Sequence, residues 1–232
     1  PARIFAVVEK IPEQARDADT SLRAGIAGWK AVASLQAATG DERPTAEDLA
    51  GWKTEAATLL DQGLAEQAGG GQPGKLAVAA ALARCQIAVS SGDLAKATEV
   101  LEHPVYGPWA IVTAGDGPAG AAGSMAEDIL QVALPLFIQT EQIAKADVAM
   151  TKLEAVAADP ARLTATYLRL GRELQTQLEQ LASTAVDGRI DAESRRRASA
   201  ILDGFERFLD AVAARGSGVS SKLWVATTYL EL

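Results

Sequence analysis

The chain is poor in the residues that most often carry chemistry. Its 232 residues include one cysteine, Cys85, and one histidine, His103, so no intramolecular disulfide can form and a zinc site of thiolate and imidazole ligands is not available. Aromatic residues make up only 5% of the sequence, and runs of Val, Ile, Thr and aromatics at period two are nearly absent, which disfavours a sheet sandwich. No apolar run approaches the roughly 20 residues a helix needs to cross a bilayer. That absence predicts a soluble protein, cytoplasmic or exported after removal of a targeting segment, with no membrane insertion. Positive charge is outnumbered: 22 Lys and Arg stand against 30 Asp and Glu, a net charge of -8, and bulk electrostatics of that sign argues against a nucleic-acid partner. Carboxylates are plentiful, yet none recurs as Glu-x-x-His or sits inside an apolar helical stripe as a di-metal bundle requires. The expectation is therefore of no metal, no cofactor and no catalytic residue set.

What the chain does have is alanine-rich helical periodicity. Leu76, Ala80, Ala83, Ile87 and Ala88 form a broad apolar face, small where a neighbouring backbone must come close. Ser91-Gly92-Asp93 then reads as a turn. Gly92 can take the left-handed conformation that ends a helix, and Asp93 can cap the next one, along which Leu94, Ala97, Val100 and Leu101 face inward until Pro104. The order of apolar helix, Gly92-Asp93, small Ala97, large Leu101 and closing proline resembles the tetratricopeptide repeat (TPR). Cys85 and Ala88 stand where that repeat usually has a small residue and a tyrosine, and the closing proline comes several residues early. The resemblance implies an all-α chain, an α-solenoid of stacked antiparallel helix pairs in a right-handed superhelix, that binds protein or peptide partners on its concave face.

Other stretches fit such a stack. Leu22, Ile26, Trp29, Val32 and Leu35 share a helical face between Pro12 and Gly40, as one helix or as two joined near Asp19. Thr45 and Asp48 form a capping pair for a helix bearing Leu49, Trp52, Ala56, Leu59 and Leu60 that runs to about Gln67. Near copies, Ile26 to Lys30 and Leu49 to Lys53, place Gly28 beside Trp29 and Gly51 beside Trp52, predicting buried indoles with each glycine admitting another helix. The segment Ile143-Ala144-Lys145-Ala146 with Met150 copies Leu94-Ala95-Lys96-Ala97 with Leu101, a repeat 49 residues apart. Ser124 opens an apolar helix that Pro135 must kink or divide. Asp159-Pro160 starts another, containing Leu163, Tyr167, Leu170, Leu174, Leu178 and Leu181. Asp191 to Ala214 is the cleanest amphipathic helix, and Tyr229 to Leu232 echoes Tyr167 to Leu170, so the chain is expected to be a piece of a longer repeat protein. It reads as a single helical-repeat domain over 1–232, with a candidate sub-boundary at the glycine-rich 69–74.

Residues 105 to 123 lack helical period. Trp109 to Thr113 could be a short strand, and Gly115, Gly117 and Gly120 match GxGxxG ahead of a helix. This arrangement raises an alternative small-ligand or nucleotide-binding enzyme domain. Against it, no second parallel strand follows, Pro118 removes an amide, and Gly120 stands back from the helix start. A purely structural spacer is the third reading. On the scaffold reading the residues to contact a partner are Tyr106 and Trp109 in this loop, and Arg195 and Arg196, although Asp191, four residues before Arg195, also suits pairing within the helix. Cys85 is expected to be a small core residue, and His103 to sit at a helix C-terminus.

Overall fold

The computed structural model describes residues 17–37, 44–69, 74–114, 125–156, 171–172, 175–176, 179 and 192–214. Outside them lie residues 12–16, the centre of the glycine-rich 69–74 segment, the GxGxxG stretch with Ser124, the Asp159-Pro160 helix start with its leucines and Tyr167, Asp191, and the closing Tyr229 to Leu232 segment. The regular secondary structure among the described residues is all helical, without a strand. The chain divides into two compact units, Pro1–Met125 and Ala126–Leu232, so that the glycine-rich 69–74 segment falls inside the first.

In the first unit, α1 (Ala18–Ala37) begins at Asp17, whose carboxylate accepts the Thr20 amide at 2.8 Å. Helix α2 (Ala46–Ala68) has the expected capping box: the Asp48 amide donates to Thr45 Oγ1 at 3.0 Å, and the Thr45 amide donates to Asp48 Oδ2 at 3.3 Å. Such a cap stabilises a helix start by about 1 kcal/mol. The two helices run antiparallel and interlock through glycines. A Cβ on Gly25 would lie 2.6 Å from Leu60 Cγ, and one on Gly63 would lie 2.6 Å from Leu22 Cδ2 and 2.9 Å from the Ala18 carbonyl oxygen. Each helix thus offers the other a leucine and a socket. Of the close approaches predicted beside the tryptophans, the one at Gly51 is not made: Gly51 faces open space, and Trp52 is only half-buried. Trp29 is in the core as expected, its indole N–H donating to Gln86 Oε1 at 2.8 Å.

Helix α3 (Lys75–Ser90) packs on both α1 and α2 and pairs with α4 (Leu94–Leu101). Ala80, Ala83, Ile87, Ala88, Ala97, Val100 and Leu101 are buried as their spacing predicts. At the turn Gly92 has φ 75°, its amide donates to the Val89 carbonyl, and the Asp93 amide reaches back to Ala88. These two bonds are the left-handed helix ending known as a Schellman motif. Asp93 then caps α4 by accepting the Lys96 amide at 3.0 Å. A difference from the sequence reading follows: residues 108–113 form neither strand nor loop but a short helix, α5 (Pro108–Thr113), which packs on α3. Pro108 at the first helical turn, where its missing amide costs nothing, explains the start.

In the second unit, α6 (Ala126–Gln139) pairs with α7 (Ile143–Val156) and with α8 (Ala192–Ala214). Pro135 does not divide α6, which stays helical to Gln139 with the proline buried. Its ring deprives the Gln131 carbonyl of an amide partner and crowds that carbonyl. The α6–α7 turn shares the principal backbone hydrogen bonds of the α3–α4 turn at an offset of 49 residues. The Glu141 amide donates to Ile138, the Gln142 amide to Phe137 and the Ala146 amide to Gln142, matching Gly92 to Val89, Asp93 to Ala88 and Ala97 to Asp93. Glu141, with φ 61°, takes the left-handed position of Gly92. Ala146, Ala149 and Met150 are buried, as are Ala97, Val100 and Leu101. On α8, Ile201 and Leu209 are buried, two of the stripe positions the sequence marks.

Candidate functional site

The first unit carries an open groove of about 600 Å³ along α2 and the C-terminal half of α3. Its α2 wall repeats every turn: Leu49, Lys53, Ala57 and Asp61 all line it, spaced four residues apart on one helix face. Leu49 is buried at the base, with Ile87 and Ala88 from α3 opposite, so apolar surface forms the floor. The other α2 side chains that line it, Ala50 and Thr58 among them, are small.

Charge is set unevenly on the walls. Arg84 Nε donates to Asp61 Oδ1 at 2.9 Å, with the arginine side chain 12% exposed and the aspartate 46% exposed. Holding a guanidinium that deep requires the partner it has, because an unpaired buried cation is costly. The second acid, Asp93, already caps α4. Lys53, by contrast, has no ion-pair partner among the described residues. The groove thus holds two acids already engaged and two cations, of which Lys53 makes no ion pair among the described residues and Arg84 uses only its Nε.

Beyond Arg84, Lys96 Nζ lies 2.8 Å from Glu99 Oε1, and this hydrogen bond raises the lysine pKa. Tyr106 stacks on His103 with ring centroids 3.7 Å apart and 6° between planes, while the Val105 amide donates to His103 Nδ1 at 3.3 Å. The turn is tight enough to require glycine at 107, where a Cβ would collide with the backbone of His103 and Leu101. Burial pushes the Tyr106 hydroxyl above its ordinary value, and the charges of Lys96, Asp61, Glu99 and Arg84 all act on it. Tyr106 thus stands within electrostatic reach of the groove's ion pair without lining the groove.

The other candidate contacts lie elsewhere. Trp109 is half-buried in the first turn of α5 and does not line the groove. Arg195 and Arg196 are exposed on α8, in the second unit, and both are engaged in interactions there. His103 sits just past the end of α4, as predicted. Cys85 is fully buried, its Sγ 3.5 Å from the Ala97 carbonyl oxygen, and burial pushes its thiol up to about 12, far from a reactive thiolate. The groove residues went unread in the sequence, although Arg84 offered a signal: it is the sole charge between Lys75 and Asp93, in the middle of an otherwise apolar helix.

Among the described residues no helix is long and apolar enough to cross a membrane, and no cluster of three or more His, Cys, Asp or Glu could hold a metal ion. Comparison with known proteins finds no matching family model, no matching curated protein and no matching solved structure.

Proposed function

We propose that this chain is a protein-binding or peptide-binding scaffold, built as a TPR-like α-solenoid of antiparallel helix pairs in a right-handed superhelix, and that it acts by holding a partner segment rather than by catalysis. The observation that supports binding is the open groove along α2 and α3, lined by the apolar Leu49, Ile87 and Ala88 and by the charged Lys53, Asp61 and Arg84. A surface of that composition suits a peptide, whose side chains bury against the floor while polar groups meet the walls. The repeat part of the reading is supported by the two hairpins that close with one hydrogen-bond pattern 49 residues apart.

The test is selection of random peptides, displayed on phage, against the whole chain, followed by hydrogen exchange with the best binder. Slower exchange of amides in 46–61 and 84–93 is the expected result. Failure to select any peptide, or protection confined to the second unit, would overturn the reading and leave a structural spacer.

A further inference from the structure

We infer that Arg84 is the anchor of the groove and that the partner segment carries a carboxylate which docks on it. This rests on the peptide-binding reading and narrows it to acidic segments. Arg84 lines the groove, yet its one hydrogen bond among the described residues is the Nε bond to Asp61. Both terminal amino groups of the planar guanidinium are left without an acceptor there. They form the edge of the fork that grips a carboxylate with two parallel bonds.

Three further features point the same way. Arg84 is held by packing, being 12% exposed, so little side-chain entropy remains to be lost when a ligand binds. Asp61 is 46% exposed, which lets it turn toward water and share the guanidinium with an incoming acid. Lys53 lies two turns from Asp61 on the same face of α2 and lines the same groove, at about 12 Å along the helix axis. The segment that fits has an acidic residue at Arg84, small apolar residues over Leu49 and Ile87, and tolerates a second acid near Lys53.

The test uses the same phage-displayed library and reads the sequence bias of the binders. Enrichment of Asp or Glu at one position is expected, and replacing that acid by its amide should weaken binding to the wild-type chain by about tenfold. Against Arg84→Gln the same replacement should have no effect, because the acid has lost its partner. Asp61→Asn supplies the opposite sign: its amide oxygen can still accept from Arg84 Nε while the competing charge is gone, so the acidic peptide should bind several-fold tighter, and this variant keeps the test decisive if Arg84→Gln fails to fold. Arg84→Lys should recover only part of the acid preference. Binders without acidic bias, or an acid preference that survives Arg84→Gln, would overturn the Arg84 assignment while leaving peptide binding intact. Absence of any binder would overturn both.

Discussion

At the scale of single residues, two left-handed positions do the same work with different side chains. Gly92 adopts φ 75° without steric cost, whereas Glu141 at φ 61° places a Cβ against its own carbonyl. Gly92→Ala should therefore lower stability by about 1 kcal/mol, and Glu141→Gly should change it in the favourable direction, by a fraction of that amount, because the glycine also frees the unfolded chain. Urea unfolding of both variants checks the opposed signs. Cys85 gives a pH prediction. Its folded value near 12 exceeds the ordinary 9.0, so the native state keeps the proton that the unfolded state loses. That contribution is fully present below pH 9 and declines between pH 9 and 12, by up to about 1.4 kcal/mol per pH unit. Over this window the wild type should lose stability faster than Cys85→Ala. Asp17 works in the other direction. Hydrogen bonds from the Thr20 hydroxyl and amide hold its carboxyl below the ordinary 3.8, so its cap is intact above that value and is lost as pH falls through the lowered one. The Thr20 amide should show this titration by NMR, and Asp17→Asn should abolish it.

At the scale of elements, α1 and α2 are fastened by reciprocal glycine sockets, and this coupling is measurable. Gly63→Ala pushes a methyl into Leu22 and toward the Ala18 carbonyl, and overpacking of that kind costs about 1–3 kcal/mol. Leu22 is fully buried, so Leu22→Ala alone costs about 2–5 kcal/mol, but on the Gly63→Ala background it should cost less, since there it also vacates the side-chain clash, though not the backbone one. An additive double mutant would rule the socket out. The same pair shows where sequence reading succeeded and where it stopped. Thr45 with Asp48 and Gly92 with Asp93 were legible because a cap is written within four residues. The α6–α7 turn was not, since Thr140-Glu141-Gln142 contains no glycine, and only the Ile143 to Ala146 copy hinted at its place. The glycines at 25 and 63 lie 38 residues apart, and nothing local distinguishes them from Gly28 or Gly51. The groove was invisible for the same reason, because its two walls are assembled from separate helices.

At the scale of the whole molecule, a chain of net charge -8 carries a groove in which Lys53 has no ion-pair partner among the described residues and the terminal amino groups of Arg84 have no acceptor. An acidic segment bound as proposed would approach against the net charge of the chain and be held by the local cations. Salt screens the first more than the second, since exposed charges interact over a Debye length of about 10 Å at 0.1 M while buried pairs are less affected. Raising ionic strength should speed association of an acidic peptide in stopped-flow measurements with little change in its dissociation, the reverse of the usual behaviour of oppositely charged partners. The matched turns finally bear on time rather than energy. Each helix pair closes from contacts nearby in sequence, so neither waits on distant chain segments, and such topologies fold quickly. Glycine visits the left-handed basin freely before any contact forms, but glutamate seldom does. The hairpin built on Gly92 should accordingly close ahead of the one built on Glu141, giving two copies of one turn different places in the order of folding.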